Sequence, residues 1–329
     1  MQRVRVLLGG QGSHGDGRMR VVVTGAAGFI GSALCGELQK AHDVLGVDSF
    51  QGILYSSGDK RQNAAELERI GVHVEELDLR TADLSTVLDG ADAVVHLAAL
   101  PGLVPSWTHY EEYLSCNVLG TARLVDAAVA GGITRFVHGS TSSVYGIEAT
   151  GDENQPLAPV SPYGVTKLAA EEVVRAHQRV LGLPAVILRF FSVDVPGQRP
   201  DMAYHRFIEA ALDGRPIEVF GDGHQTRSNT YISDCVSATL AALWKGEVGG
   251  AYNVGGGTEV SLLDAVDLIG QECGRRIEID FRPPRIGDQR HTRAICQSAL
   301  DELGFQPVVD PPDGIVRQVD WHCRRSKGK

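Results

Sequence analysis

Residues Val21–Leu34 read VVVTGAAGFIGSAL, a β-branched run that breaks into G-x-x-G-x-x-G at Gly25, Gly28 and Gly31 and then continues as an apolar helical pattern. A strand feeding a glycine turn that opens a helix presents free backbone N–H groups and the positive end of the helix dipole to its surroundings, which suits a pyrophosphate. Phe29, Ile30, Ala33, Leu34 and Leu38 fall on one helical face. Glycines also punctuate ordinary β-to-α turns, so the neighbouring sequence must carry the reading. The next strand-like run, DVLGVD, ends in Asp48. A carboxylate there accepts hydrogen bonds from a ribose diol and repels a 2'-phosphate, which selects NAD over NADP; the plainer reading is a loop cap. Asp78, in EELDLR, is placed either to reach the adenine amino group or simply to close its loop.

Beyond this stretch, RVVVTG, DVLGVD, HVEELD, AVVHLA, RFVHGST and AVILRF recur as short apolar runs separated by longer amphipathic segments. Strands of this kind are buried on both faces, as in a parallel sheet with helices on either side. The expected fold is α/β, a doubly wound Rossmann sheet over 19–192, with 229–256 returning to it. Past residue 191 prolines divide the chain into short pieces, which predicts a smaller substrate domain from 193–228 and 257–321, ending in a tail over 322–329. Residues 1–18, rich in glycine and charge, read as a disordered leader without the apolar core of a secretory signal.

At 329 residues, with 43% hydrophobic and 22% charged residues, the chain has the composition of an ordinary globular protein. The net charge of -10 argues against nucleic acid as a partner, and no apolar run reaches membrane-spanning length. Six scattered cysteines without a C-x-x-C pair suggest free thiols, a cytoplasmic location and no metal site. His96 and His138, in apolar strand contexts, read as core or loop donors rather than metal ligands.

SPYGVTKLAAEE places Tyr163 and Lys167 one helical turn apart on one face. A free tyrosine titrates near pH ~10, too high for a base at neutral pH. An ammonium one turn away, with a positive nicotinamide ring, favours the phenolate and lowers that value. Upstream, HGSTSSVYG offers the hydroxyls of Ser140 and Thr141 beside the same spot.

With these pieces in place the chain resembles an extended short-chain dehydrogenase/reductase of the nucleotide-sugar epimerase and dehydratase group. The resemblance runs from Met19 to about Trp321 and rests on TGAAGFIG, DLR, HLAA, NVLGT, STSSVYG, YGVTK, LRFFSV, PGQRPDMAYHRF, GDGHQTR and GDQRHT, in that order. It implies cofactor contacts from Gly25, Ala27, Gly28, Phe29, Ile30 and Gly31 of the turn, from Asp48, from Asp78 and Leu79, and from Leu97, Ala98 and Ala99, with Asn117 supporting the region. It implies Tyr163 as base, Lys167 as the group that lowers its pKa and holds the nicotinamide ribose, and Thr141 as the partner of the reacting hydroxyl. Arg227 and Arg290 resemble ligands of the nucleotide diphosphate, and Asp288 an acceptor from the uridine ribose. Relatives usually pair as homodimers through two long helices, here 108–131 and 162–181.

Such enzymes take a hydride from sugar C4 onto NAD. Dehydratases of the group carry Asp-Glu after the catalytic threonine, where this chain has Ser142 and Ser143. Elimination needs an acid and a base near the reacting carbons, and two hydroxyls supply neither at neutral pH. The expectation is therefore a UDP-sugar 4-epimerase. FFSVDVPGQRPDMA resembles a stretch found in UDP-glucuronate 4-epimerases and some UDP-glucose 4-epimerases, whose arginine faces the sugar, which points to Arg199 as a carboxylate clamp, with Ser140, Ser142 and Ser192 offering hydrogen bonds; alternatively Arg199 ties down its own loop. Other readings are a UDP-glucose or UDP-N-acetylglucosamine 4-epimerase, a dehydratase or decarboxylase, and an NAD-sensing binding protein. Ser192, Asp194, Val195, Ser228 and Asn229 depart from the usual pattern on the sugar side.

Overall fold

The structure is a computed structural model that describes residues 17–54, 57–194, 196, 200 and 202–327. Most of the leader and Arg199 lie outside the described residues. The apolar runs form β1 (Arg20–Thr24), β2 (Asp43–Asp48), β3 (His73–Glu76), β4 (Ala93–His96), β5 (Arg135–Thr141) and β6 (Ala185–Phe190), joined by β7 (Ala251–Val254). They make one parallel seven-stranded sheet in the order β7-β6-β5-β4-β1-β2-β3. Strand order reverses between β1 and β4, so a crevice opens at their carboxyl ends. This is the doubly wound fold the sequence pattern requires.

Side chains alternate across each strand, so the apolar runs feed two cores. Val21, Val23, Val95, Val137 and Val186 face helices α1 (Phe29–Leu38) and, later in the chain, Ile232–Lys245. Val22, Val94, Phe136 and Ile187 face the opposite layer, built by α2 (Gly120–Ala130) and α3 (Pro162–Leu181). A third core, with Tyr204, Phe207, Ile208, Ile269, Ile315 and Val319, joins α4 (Ala203–Asp213), α5 (Leu262–Glu272) and α6 (Pro311–Lys327) beside the crevice.

The helix that the sequence suggests over 108–131 is in fact composite: α-helical at Tyr110–Tyr113, π-helical at Leu114–Leu119, then α2. The widened turn contains Asn117, which is fully buried and bonds both polar groups of the Leu100 backbone. Its own carbonyl accepts from Thr121 Oγ1 at 2.7 Å. π-Helical turns are rare and occur mostly as single turns inside α-helices, frequently at functional sites.

His96 and His138 sit side by side on β4 and β5, fully buried, with ring centroids 5.3 Å apart. His96 bonds Thr24 and Thr121, whereas neither ring nitrogen of His138 has a hydrogen-bond partner among the described residues. Burial, reinforced by Lys167, pushes His96 down to about 3 and His138 well below its ordinary value. The unfolded chain therefore binds protons near pH ~6.5 that the folded one refuses, so stability is complete above that pH and falls as pH drops below it. We expect a loss of up to ~1.4 kcal/mol per pH unit for each histidine between about pH 6 and 4, read by urea denaturation. The slope should become shallower in His138→Leu; an unchanged slope would contradict this assignment.

Candidate active site

The crevice holds a continuous cavity of about 720 Å³ running from the glycine turn to helix α4 and Arg227. Gly25 sits at φ +73°, and a Cβ there would stand 2.8 Å from Ala98 N; at Gly31 it would stand 2.2 Å from the Gly25 carbonyl oxygen. Only glycine lets α1 approach the turn this closely. Gly28 caps α1 without a side-chain hydrogen bond, and Gly25, Gly28, Phe29, Ile30 and Gly31 all line the cavity. Ala27 does not: it is fully buried, its carbonyl accepting from Asn63 Nδ2.

Asp48, at the end of β2, lines the cavity, and its Oδ1 accepts from the Phe50 backbone N–H at 2.8 Å and from Lys60 Nζ at 3.0 Å. Phe50 adopts φ +50°, an uncommon conformation for a non-glycine residue. Asp78 lines the next stretch, held by the Arg80 guanidinium and by Gln51 Nε2. Hydrogen bonding from Arg80 keeps its carboxyl below the usual carboxylate range. Leu79, Leu97, Ala98 and Ala99 complete this wall, while Asn117 stands behind it, fixing Leu100. Lys60, Gln51 and Arg80 escaped the sequence reading because nothing in their local pattern marks them as facing Asp48 or Asp78.

The corner that brings Thr141, Tyr163 and Lys167 together lies where β5 and α3 meet. Ser161 caps α3 by accepting from Gly164 N, and Pro162 occupies the first turn, which starts the helix directly before Tyr163. Thr141 ends β5, so the hydroxyl-bearing strand tip and the first turns of α3 share the cavity lining: Ser140, Thr141, Ser142, Ser143, Tyr163 and Lys167 all face it. Thr141 Oγ1 donates to Ser143 Oγ at 3.2 Å, and Ser142 Oγ lies 3.5 Å from Gln289 Oε1. The Tyr163 ring meets Tyr113 edge-on.

Lys167 is buried, donating to the Gly139 carbonyl at 2.6 Å; burial pushes it down to about 8 against the opposing pull of Glu171. Glu171, one turn further along α3 and fully buried, accepts from Ser140 Oγ at 2.5 Å and from Arg189 Nη2 at 2.8 Å. Arg189, in β6, also donates to Tyr145 Oη. This network escaped the sequence reading although two signs were present. Glu171 continues the face of Tyr163 and Lys167, and Arg189 interrupts the otherwise apolar AVILRF.

On the far side, Ser192, Asp194, Tyr204, Arg206, Phe207, Phe220, Gln225, Arg227, Asn229, Arg285 and Asp288 line the cavity. Arg227 Nη2 pairs with Asp288 Oδ1 at 3.1 Å and bonds the Gln289 carbonyl. Asn229 Nδ2 donates to Asp194 Oδ2. Arg285 stacks on Phe220, 3.6 Å from its ring centroid. Arg290 does not face the cavity; it forms a two-pronged, exposed pair with Asp222. The carboxylate clamp expected at Arg199 falls outside the described residues.

A glycine-turn crevice on a parallel sheet, with a tyrosine and a lysine at its inner end, defines a short-chain dehydrogenase/reductase type of site. The model of the NAD dependent epimerase/dehydratase family matches residues 21–255. A Bacillus subtilis protein described as an uncharacterized UDP-glucose epimerase is 43% identical over 311 residues, covering 92% of this chain and 98% of that protein. The UDP-glucuronic acid 4-epimerase of Bacillus cereus, solved with UDP-glucuronic acid and NAD, superposes with a TM-score of 0.90 at 38% identity, covering 93% and 100% of the two chains. The dTDP-glucose 4,6-dehydratase of Streptomyces venezuelae, solved with NAD, gives 0.88 at 31% identity over 94% and 98%. The chain belongs to the NAD dependent epimerase/dehydratase family, within the extended short-chain dehydrogenases/reductases.

Replacing Glu171 by Gln leaves the buried Arg189 charge uncompensated, which costs roughly 3–5 kcal/mol by analogy with other broken buried pairs. The substitution also removes the group that raises the Lys167 pKa. We expect lower stability in guanidinium denaturation together with an acidward shift of the alkaline limb of the pH–rate profile. Stability within 1 kcal/mol of the parent, by the same estimate, would show the pair to be inconsequential.

Proposed function

We propose that the protein is an NAD-dependent UDP-sugar 4-epimerase and that its substrate is UDP-glucuronate, interconverted with UDP-galacturonate. The observation that carries this reading is the meeting of Thr141, Tyr163 and Lys167 on one cavity that continues from the glycine turn to Arg227 and Asp288. The residues fit a dinucleotide. With no room for side chains at Gly25 and Gly31, the turn offers bare backbone to a pyrophosphate. Among the described residues Phe50 N and Lys60 Nζ both donate to Asp48 Oδ1, which leaves Oδ2 to accept from a ribose diol.

When bound, NAD supplies a hydride acceptor that later becomes the donor. The Tyr163 phenolate takes the proton of the sugar C4 hydroxyl as the C4 hydrogen departs with its electron pair, leaving a 4-keto sugar. The Lys167 ammonium, positive below about pH 8, favours that phenolate. Thr141 turns its hydroxyl from Ser143 toward the sugar oxygen and orients it. The ketone then presents its other face, regains hydride at C4 and takes the proton back from Tyr163, so atoms and electrons balance and only the configuration changes. Arg227 and Asp288 anchor the nucleotide end while the sugar turns. Ser142 and Ser143 bring hydroxyls, not an acid–base pair, to the positions beside Thr141, which favours return of the hydride over elimination.

The uronate assignment draws on the arginine expected at position 199 and on the relative that binds UDP-glucuronic acid. It is tested by incubating the purified protein with UDP-glucuronate and following products by liquid chromatography and mass spectrometry. A new peak of unchanged mass that co-elutes with UDP-galacturonate is expected. Conversion of UDP-glucose or UDP-N-acetylglucosamine instead would overturn the uronate assignment while keeping the mechanism, and loss of carbon dioxide or water would overturn the epimerase reading.

Two substitutions test the roles. Tyr163→Phe should lower kcat by at least 10²–10⁴-fold, the usual range for a positioned acid–base group, while NADH fluorescence still reports binding. Full activity would remove Tyr163 from the role of base. Asp48→Ser should weaken NAD binding and narrow its preference over NADP, measured by titration of both cofactors; an unchanged ratio would refute the ribose contact.

A further inference from the structure

Helix α4 has two working faces. Tyr204, Arg206 and Phe207 line the cavity, while His205 and Glu209, one helical turn apart, address α6. There they meet His322, so the C-terminal helix contributes to a cluster far along the chain from its partners. His205 Nε2 lies 3.2 Å from Glu209 Oε1, and the His205 and His322 rings pack edge to face with centroids 4.5 Å apart. One ligand atom from each of the three residues lies within 4.8 Å of the other two. Both imidazoles are buried, whereas the Glu209 side chain is half-exposed and leaves a way in from solvent.

We propose that His205, Glu209 and His322 bind a divalent cation of the zinc class, which pins α6 to α4. Two imidazoles and one carboxylate form a ligand set typical of zinc, with the fourth position left to water. Zinc holds such ligands at about 2.0–2.2 Å, which separates neighbouring ligand atoms by roughly 3.3–3.5 Å. The His205–Glu209 spacing of 3.2 Å is already close to that distance. The separations to His322 lie within 4.8 Å, so they must close by at most roughly 1.5 Å to reach zinc geometry, a movement within reach of side-chain rotation. Arg325 opposes a cation electrostatically but lies on the exposed face, where solvent and salt screen it. The ion would tie the last helix to the helix that walls the substrate half of the cavity, independently of which sugar that half accepts.

The test uses the purified full chain, stripped with chelator. Zn²⁺ is titrated in competition with a chromophoric chelator, and Co²⁺ is added separately to record its visible spectrum. We expect one ion per chain at micromolar concentration, a higher melting temperature with Zn²⁺, and weak Co²⁺ bands without the intense near-ultraviolet thiolate absorption that cysteine ligands give. Affinity should fall more than about 10-fold in His322→Gln and in Glu209→Gln. Glu209→Gln decides the matter if His322→Gln fails to fold, since the position is half-exposed. Absence of stoichiometric binding, or binding unchanged in the folded variants, overturns the site.

Discussion

The corner where Thr141, Tyr163 and Lys167 meet depends on a buried ammonium. Lys167 lies in the second turn of α3, out of contact with bulk water, and a charge so placed must be compensated locally. Its compensation defines the local architecture. Its ammonium bonds the Gly139 carbonyl, which fixes the tip of β5 next to Thr141. Glu171 offsets the charge from one turn below, and Glu171 in turn is held by Arg189 of β6 and by Ser140. Strand tip, helix and neighbouring strand are thus joined by one chain of charge-assisted hydrogen bonds, and Tyr163 takes its place on the face they orient.

The same logic divides the cavity. Its inner half is made of backbone and small residues around the glycine turn, where shape is dictated by close approach of α1 to the end of β1. Its outer half is made of long polar and aromatic side chains on α4, short strands and loops, where Arg227, Asp288 and Gln289 hold one another. The first half tolerates little variation because a single Cβ at Gly31 would collide with the turn. The second half is where members of one family can diverge in substrate, since its residues are positioned by one another rather than by the sheet.

This division also explains what the sequence discloses. The sheet is legible because each strand is a continuous apolar run, and the turn, Asp48, Thr141, Tyr163 and Lys167 are legible because local spacing alone puts them at strand ends or on one helical face. The π-helical turn at Leu114–Leu119 was not legible, since it answers to a demand from Asn117 and Leu100 that only the folded chain makes. Lys60 meets Asp48 through the packing of a helix whose own residues are mostly polar, and no periodicity announces that contact. Arg290 shows the converse: its motif suggests a phosphate ligand, yet its guanidinium is paired with Asp222 outside the cavity. The cluster of His205, Glu209 and His322 joins residues more than a hundred positions apart, beyond the reach of spacing rules.

The central claim is that hydrogen leaves C4 of the sugar and returns to the same carbon, with no other bond to carbon broken. The direct measurement is turnover of UDP-glucuronate in deuterium oxide, with the product analysed by mass spectrometry and proton NMR. The account predicts an epimer with protium retained at C4 and no deuterium fixed to carbon. Deuterium at C5, or a product lighter by carbon dioxide or water, would contradict it.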